Sequence, residues 1–188
     1  IVTAAASREH DKFHILKHLS KEVELEDVTD EIACFGIFGP KSRSLMSKLS
    51  NDDFSNENFK FGTSKNIKIN NREVWVQRLS YVGELGFELY AKINESKEIY
   101  NLIIDKGKEL DISHCGMLSM DIMRMEKGYL HWGHDMSPEE NQYEAGLSFA
   151  ISFKKNINFI GKKAITRIKN GKIKKKMVML TLKDSQPG

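Results

Sequence analysis

The chain has 188 residues, of which 40% are hydrophobic and 29% are charged, and its formal net charge is +3. This length can bury a hydrophobic core in one large domain or two small ones, and the charge is too small to indicate a nucleic-acid partner by itself. No apolar run approaches the ~20 residues of a membrane-spanning helix, and no signal peptide opens the chain, so a membrane partner is not expected either.

Short strands and helices alternate in the prediction for the first part of the chain. Strand patterns cover residues 1–5 and 23–28, and a continuous apolar run at residues 32–38 indicates a buried strand. Helices are predicted at residues 8–19, where apolar side chains share one face, and at residues 40–49, where a proline suits the first turn.

The middle of the chain is predicted to form a small antiparallel sheet. After a polar loop at residues 51–62, strands at 65–69 and 73–80 form a hairpin around Asn70-Asn71, because asparagine tolerates positive φ. A further strand at residues 87–93 extends this sheet. Three aromatic side chains are expected to anchor the loop to the core: Phe54, Phe59 and Phe61.

Helices dominate the prediction after the sheet. Helical faces are predicted at residues 99–110 and 116–127, and the second helix is so rich in methionine, leucine and isoleucine that we expect it to be buried. On it, Asp121 and Arg124 lie three residues apart and can pair. The remaining predicted elements are a short helix near Pro138, strands at residues 147–153 and 174–182, and a helix at residues 159–170. This interleaving indicates an α+β fold with antiparallel sheets and packed helices.

Cysteine and histidine residues give weak functional signals. Cys34 and Cys115 lie beside apolar residues and are predicted to be buried free thiols, as in a reducing, cytoplasmic compartment. His10, His14 and His18 recur at every fourth position, a spacing that can bind zinc. Because no carboxylate or cysteine shares their helix face, we expect a solvated face, and no metal site is predicted.

The segment from Tyr81 to Tyr90 carries the strongest functional signal. It is predicted to form a strand, a glycine turn and a second strand, in which Glu88 and Tyr90 face away from the apolar residues. A carboxylate inside an apolar strand is costly to bury unless it accepts hydrogen bonds, and it matches the paired N–H donors of a guanidinium or a 2-amino-pyrimidinone ring. With Tyr81 as an aromatic wall, the segment indicates half of a pocket for a flat heterocycle. An edge strand with Glu88 in water is the alternative.

The same segment resembles a family motif. Tyr81-Val-Gly-Glu-Leu-Gly-Phe-Glu88 is similar to the Y-T-G-E-x-G-x-E segment of the aminomethyltransferase, or T-protein, of the glycine cleavage system. Further segments resemble that family in order and spacing: Asp121-Ile-Met-Arg124-Met-Glu126-Lys-Gly-Tyr129, Trp132-Gly-His-Asp135, Tyr143-Glu-Ala-Gly-Leu147 and Phe159-Ile-Gly-Lys-Lys-Ala164. The chain looks most like the T-domain that is fused to dimethylglycine and sarcosine dehydrogenases.

The resemblance implies a folate-binding, aminomethyltransferase-like α+β domain that passes a one-carbon unit to tetrahydrofolate. By resemblance, Glu88 holds the pterin, whose 2-amino group and ring N–H lie side by side, and Tyr81 packs nearby. The other residues that we expect to bind folate are Glu84, Arg124 and Trp132.

The resemblance also implies a division of the chain. Residues 1–30 would end a first folate-binding subdomain, residues 31–128 would form a central α+β subdomain, and residues 129–188 would return to the first subdomain and start a C-terminal segment. The family's catalytic aspartate is expected upstream of Ile1, so no catalytic residue is assigned within this chain. Met120 stands where the T-protein usually carries arginine, so the contact to the folate tail is expected to differ.

The implied activity is transfer of an aminomethyl or methylene group from an amine donor, which gives methylenetetrahydrofolate. The implied partners are a small-molecule amine or aminomethyl donor, and either a lipoyl carrier protein or a fused flavin dehydrogenase domain. Two alternatives stay open: folate-dependent demethylation of another methyl donor, and a non-catalytic folate-binding or assembly module. Assembly-type relatives carry a cysteine where this chain reads Tyr81-Val-Gly-Glu84, which disfavours the second alternative.

Overall fold

The computed structural model describes residues 1–181 and 183 of the chain. These residues form two compact units. The first unit comprises Ile1–Ser80 and Glu84–His114, and the second comprises Tyr81–Gly83 and the described part of Cys115–Gly188. The subdomain boundaries expected after residues 30 and 128 stay predictions.

A four-stranded antiparallel sheet forms the centre of the first unit. Its strands are β1 (Ile32–Phe38), β2 (Ser64–Ile69), β3 (Arg72–Gln77) and β4 (Gly86–Lys92), and their order is β1-β4-β3-β2. A two-residue turn joins β2 to β3, with φ of 46° at Asn70 and 65° at Asn71. This confirms the predicted hairpin, since a type I′ turn needs positive φ at both central residues.

Helices pack around this sheet in the first unit and form most of the regular structure in the second. They are α1 (Arg8–His18), α2 (Ser42–Leu49), α3 (Ile93–Gly107), α4 (Met117–Glu126) and α5 (Lys162–Asn170). Every predicted helix is confirmed except the one near Pro138, where the chain forms turns because local side-chain bonds to Ser137 satisfy its backbone. The mixture of helices and antiparallel strands confirms the predicted α+β class. Within residues 1–181 and 183, no helix is long and apolar enough to cross a membrane.

One face of the sheet forms the hydrophobic core of the first unit. Alternate residues of a strand point to the same face, so Val74 and Val76 of β3 are fully buried together with Phe87 and Leu89 of β4. This face packs against α2 and α3, which contribute further buried side chains: Leu45, Met46, Leu49, Ile99 and Ile103. The opposite face of the sheet is therefore the one available for polar side chains.

The loop between α2 and β2 is anchored by two of the three phenylalanines predicted to do so. Phe54 and Phe59 are each 2% exposed, and the ring of Phe54 lies edge-on to Phe87 with 5.8 Å between centroids. Phe61 is 70% exposed, so its predicted role as an anchor is wrong. It lies within the tight turn at residues 60–63, which the Thr63 N–H closes by donating to the Lys60 carbonyl oxygen, and it is not part of the core that the other two rings fill.

Four predicted strands are wrong because a strand needs a partner for its backbone hydrogen bonds, whereas apolar alternation is only a local signal. In the described part of the chain these segments pair with no neighbouring strand, namely residues 1–5, 23–28, 147–153 and 174–181. Short 3-10 helices occur instead at Ala5–Ser7 and Ser148–Ala150. Leu182, the last residue of the fourth predicted strand, lies outside the described residues.

The strand at residues 32–38 has the predicted bounds but not the predicted burial. β1 lies at an edge of the sheet, and Ile37 is its one buried residue. Cys34, on this edge strand, is exposed, and Cys115, just before α4, is exposed as well. Both are free thiols, so the prediction that the two cysteines are buried is wrong.

The second unit contains α4 and α5 joined by turns. The predicted burial of α4 is wrong, because Met117 is 75% exposed and Leu118 is 80% exposed. The buried residue of this helix is Arg124, which is 3% exposed. The helix therefore contacts its own unit through a charged side chain, and its apolar content did not identify its inner face.

Candidate functional site

The face of the sheet away from the core carries the carboxylate singled out in the sequence. Glu88 is half-buried there, opposite Gln77 on β3 and Gly36 on β1. Tyr90, two residues further along β4, lies opposite Trp75 and Cys34. We call this surface the open face and define it by six residues: Cys34, Gly36, Trp75, Gln77, Glu88 and Tyr90. The prediction that Glu88 and Tyr90 share one face is confirmed.

Two glycines make room for an aromatic ring on this side of the sheet. A Cβ atom on Gly36 would lie 2.5 Å from Cε2 of Phe38, and one on Gly86 would lie 2.4 Å from Cδ1 of the same ring. The Gly86 Cβ would also lie 2.9 Å from the carbonyl oxygen of Leu79. The Phe38 ring thus fills the space that side chains at both glycines would need, and it adds an apolar wall to the open face.

Tyr90 is the hydrogen-bond donor to Glu88. Its hydroxyl donates to Oε2 of Glu88 over 2.5 Å, and its ring packs against Trp75 with 4.8 Å between centroids. Desolvation, followed by the hydrogen bond to Glu88, raises the pKa of Tyr90 far above its ordinary value. The hydroxyl therefore stays protonated at any physiological pH. The sequence placed Tyr90 beside Glu88, but only the structure reveals this donor role.

Cys34 is part of the open face but does not offer a reactive thiol. Although the residue is exposed, partial desolvation of its thiol raises the pKa, and the negative charge of Glu88 raises it further. A thiol with a raised pKa stays protonated and is a poor nucleophile. The open face is therefore suited to binding rather than to covalent catalysis by cysteine.

A recess of about 250 Å³ adjoins Cys34 and Tyr90 in the first unit. Its far wall is formed by α1 and by the segment before β1. Arg8 of α1 binds Asp27 with 2.9 Å between Nε and Oδ2, and Lys12 reaches the same oxygen at 3.4 Å. These ion pairs hold α1 against the segment that closes the recess.

Arg124 in the second unit is surrounded by protein acceptors. Its Nε donates to Oδ1 of Asp121 over 2.7 Å, and its Nη1 donates to the carbonyl oxygen of Tyr129 over 3.0 Å. Nη1 also pairs with the carboxylate of Asp135, which in addition accepts the backbone N–H of His131 over 2.8 Å. The predicted pair with Asp121 is confirmed, whereas the pair with Asp135 was not predicted because the intervening turn brings it close.

The charges of this cluster stabilise one another. Burial of the Arg124 guanidinium works against its charge, but the hydrogen bonds that it donates to the two aspartates outweigh this, and its pKa is raised. The hydrogen bond from Arg124 lowers the pKa of Asp121. Burial alone would raise the pKa of Asp135, but the His131 N–H and Arg124 outweigh it and hold that pKa below its usual range. All three groups are therefore charged at neutral pH.

Tyr81 and Arg124 line the same cleft of about 1100 Å³ in the second unit. The Tyr81 hydroxyl donates to the carbonyl oxygen of Leu130 over 3.2 Å, and its ring stacks on Tyr129 with 6.4 Å between centroids. Burial raises the pKa of Tyr81. Asp135 also borders the cleft, so its lining combines aromatic surface with the charged cluster.

The other two residues expected to bind folate occupy less enclosed positions. Trp132 is 57% exposed and does not line the cleft of the second unit. Glu84 is half-buried in the bend before β4. Gly83, in the same bend, has a φ of +73°, which favours glycine, so the predicted glycine turn is confirmed at that residue. The strand predicted to precede this turn ends earlier, at Gln77.

Histidines do not form a metal centre among the described residues, which contain no group of three or more potential ligands placed to hold an ion. His14 and His18 lie on the exposed surface of α1 with 4.9 Å between ring centroids, which confirms the predicted solvated face. In the second unit the rings of His131 and His134 stack at 5.0 Å.

The chemistry of the open face suits a flat ligand that donates hydrogen bonds. An ionised carboxylate accepts hydrogen bonds and cannot donate them, and its two oxygens offer about four acceptor positions. Aromatic rings at Phe38, Trp75 and Tyr90 border this surface and can cover the face of a heterocycle.

The chain is similar to known proteins over most of its length. The family described as the GCVT N-terminal domain matches residues 1–155. Human mitochondrial dimethylglycine dehydrogenase is 37% identical over 185 residues, which cover 97% of this chain and 21% of that protein. An aminomethyltransferase of a Thermoanaerobacter species is 37% identical over 164 residues, which cover 87% of this chain and 44% of that protein.

A solved structure also matches the fold. The glycine cleavage system aminomethyltransferase T from Bartonella henselae superposes with a TM-score of 0.70 at 19% identity, over 89% of this chain and 44% of that chain. At this identity the likeness establishes the fold and not the function. The present chain spans about a fifth of the length of the dimethylglycine dehydrogenases it matches.

The match over residues 1–155 means that the chain belongs to the GCVT N-terminal domain family of aminomethyltransferase-like proteins. The family resemblance read from the sequence motifs is thereby confirmed. Members of this family carry out folate-dependent aminomethyl or methyl transfer.

Proposed function

We propose that this chain binds tetrahydrofolate through Glu88 and serves the transfer of a one-carbon unit from an amine donor. The observation that carries the proposal is the placement of Glu88 on the open face, half-buried, held by the Tyr90 hydroxyl and bordered by aromatic rings. A carboxylate in this setting accepts the adjacent 2-amino and ring N–H donors of a pterin as charge-assisted hydrogen bonds.

Glu84, in the bend before β4 of the same unit, is assigned the supporting role of a second carboxylate. For Tyr81, Trp132 and Arg124, which belong to the second unit, a role in folate binding stays an expectation from the family resemblance. Arg124 has its donors engaged by Asp121, Asp135 and a backbone carbonyl, so its contribution comes through the shape and charge of the cleft wall.

Bound tetrahydrofolate would supply the nitrogen atoms that accept the one-carbon unit, giving methylenetetrahydrofolate and a released amine. The task of this chain is then to bind and orient the pterin and to limit the access of water to it. Proton transfer is assigned to no described residue of this chain.

The donor is proposed to be a small amine that carries an N-methyl group. Relatives of the chain are named dimethylglycine dehydrogenase, sarcosine dehydrogenase and 4-methylaminobutanoate oxidase, and these names share a substrate with a methylated nitrogen. A flavin dehydrogenase domain in the same polypeptide is the proposed partner, in preference to a lipoyl carrier protein. The N-methyl group must lose two electrons to become an iminium at the methylene level, and the flavin is the proposed acceptor of those electrons. Transfer of the iminium carbon to tetrahydrofolate then releases the demethylated amine and a proton. A cytoplasmic location stays a prediction, and several relatives are named as mitochondrial.

The test is the affinity of the full-length protein for tetrahydrofolate, measured by calorimetry. Glu88→Gln keeps the shape of the side chain but replaces one acceptor oxygen with a donor, and we expect binding to weaken by about 1.5–3 kcal/mol. Glu73→Gln is the matched control, because Glu73 is exposed and lies on the same side of β3 as Trp75 and Gln77. An unchanged affinity of Glu88→Gln would remove Glu88 from the binding site.

The product separates the proposed transfer from its alternatives. Incubation of the full-length protein with an oxidisable N-methyl amine, tetrahydrofolate and an electron acceptor for the flavin should accumulate methylenetetrahydrofolate. Accumulation of methyltetrahydrofolate would instead support demethylation of another methyl donor, and folate binding without any turnover would support a non-catalytic module.

A further inference from the structure

The side chain and the backbone of Tyr90 are both restrained by the neighbouring strands, and this restrains the position of its hydroxyl. Its ring packs on Trp75 of the neighbouring strand β3, with 4.8 Å between centroids and 42° between ring planes. On the other side, Cys34 of β1 lies directly opposite it. Because β4 is a central strand hydrogen-bonded on both sides, the backbone of Tyr90 is fixed as well.

The fixed hydroxyl holds one oxygen of Glu88. It donates to Oε2 over 2.5 Å, a distance typical of a strong hydrogen bond from a hydroxyl to a carboxylate. This contact takes one of the about four acceptor positions of the carboxylate and fixes the plane of the group. One position on Oε2 and both positions on Oε1 stay available for a ligand, so each carboxylate oxygen can accept one of two adjacent N–H donors.

We propose that Tyr90 is a positioning residue, which orients the Glu88 carboxylate so that the open face selects a ring with a 2-amino group beside a ring N–H. This inference rests on the proposed role of Glu88 in folate binding. Without the Tyr90 hydroxyl, the glutamate side chain keeps its charge but samples several rotamers, and a ligand must order it on binding. A ligand that donates only one hydrogen bond gains less from a fixed carboxylate plane than one that donates two.

The experiment measures the affinity of the full-length protein for tetrahydrofolate and for an analogue that lacks the 2-amino group. Tyr90→Phe removes the hydroxyl and keeps the ring on Trp75. We expect it to weaken tetrahydrofolate binding about fivefold, which is about 1 kcal/mol at 25 °C, and to change the affinity for the analogue by less than about twofold. Tyr100→Phe is the matched control, because its hydroxyl also bonds a side chain of the first unit, Nε2 of His114 at 2.6 Å.

A double-mutant cycle with Glu88→Gln tests whether Tyr90 acts through Glu88. If it does, Tyr90→Phe causes little further loss of affinity once Glu88 is replaced, because the free-energy effects of substitutions at two residues in direct contact are not additive. Equal losses for both ligands, or additive losses in the double mutant, would overturn the proposal and assign Tyr90 a purely structural role. A thermal melt of each variant checks that the fold is kept.

The two proposals fail in different ways. If Glu88→Gln weakens tetrahydrofolate binding while Tyr90→Phe does not, the positioning role is wrong and the proposed function stands. If Glu88→Gln does not change the affinity for tetrahydrofolate, the proposed binding role of Glu88 is wrong. The positioning role of Tyr90 is then wrong as well, because it depends on Glu88.

Discussion

At the scale of single residues, the two charged groups singled out by the sequence differ in what holds them. Within the part of the chain that the structure describes, Glu88 accepts a side-chain hydrogen bond from the Tyr90 hydroxyl and keeps acceptor positions for a ligand. Arg124 is enclosed by Asp121, Asp135 and the Tyr129 carbonyl. The first arrangement is suited to recognition and the second to holding the second unit together.

This difference leads to a prediction about acid stability. The pKa of Asp135 is lowered in the folded protein, so its ion pair stabilises the fold above the ordinary carboxyl pKa, and that stability is lost as the pH falls through the lowered value. Asp135→Asn should therefore lower the free energy of unfolding by about 1–2 kcal/mol at pH 7, since it leaves Arg124 without one charged partner. The difference between wild type and variant should shrink below about pH 4.

Urea unfolding at a series of pH values, followed by the fluorescence of Trp132 in the second unit, measures this effect. Glu139→Gln is the control, because Glu139 is exposed on the same turn region. A stability difference between Asp135→Asn and wild type that stays constant from pH 7 to about pH 3 would contradict the assignment of the effect to the Asp135 charge.

At the scale of elements, the β2–β3 hairpin depends on its two asparagines. Both have positive φ, which costs a residue with a branched Cβ roughly 1–2 kcal/mol and glycine very little. Asn71→Val should therefore destabilise the first unit by about 1–2 kcal/mol, whereas Asn71→Gly should be neutral or stabilising.

The same substitution within the strand provides the control for this prediction. Asn66 is exposed in β2, where a β-branched residue is favoured, so Asn66→Val should be neutral or slightly stabilising. Urea denaturation followed by the fluorescence of Trp75, in the first unit, measures the stability of the variants at both positions. A loss of stability at position 66 as large as that at position 71 would rule out the turn as the cause.

Turns and element ends that are determined by residues adjacent in sequence were predictable. Asn70-Asn71 specified a turn, and Gly39-Pro40 marked the end of β1 and the approach to α2. The segment at residues 23–28 alternates apolar and acidic residues, and the segment at 174–181 contains an apolar run, but neither has a partner strand in the described part of the chain. Pairing depends on contacts far apart in sequence, which a local pattern does not contain.

The candidate site also has features that the sequence predicted and features that it did not. Glu88 and its face were predictable because a strand alternates with period two, and Glu88 interrupts an apolar run. The Asp135 partner of Arg124 and the Phe38 ring over Gly36 and Gly86 were not, since both contacts arise from how separate segments pack. The exposed α4 was missed because apolar composition records how much surface a helix could bury, not whether a neighbour covers it.

At the scale of the whole molecule, the two units differ in their cores. The first unit buries an extensive apolar cluster between the sheet and two helices. The buried apolar residues described in the second unit are Val82, Ala145 and Ile165. Since local stability follows the amount of buried apolar contact, the second unit should open more readily.

Hydrogen exchange followed by mass spectrometry measures this difference. Amides of β3 and β4 should be the slowest to exchange, and those of α4 should exchange faster by at least about tenfold, corresponding to about 1.4 kcal/mol in opening free energy. Peptides from α5, which buries Ile165, provide a comparison within the second unit. Equal protection of β4 and α4 would contradict the expected order.

The two edge strands of the sheet, β1 and β2, differ in how strongly their side chains discourage self-association. β2 carries Lys65 and Lys68, and lysines on an outer strand discourage a second chain from adding to the sheet. β1 reads Ile-Ala-Cys-Phe-Gly-Ile-Phe, without a single charge, and no strand of the described residues covers its outer side. Truncated versions prepared for crystallography or screening should therefore aggregate through β1, and a lysine introduced there is a sensible solubilising change.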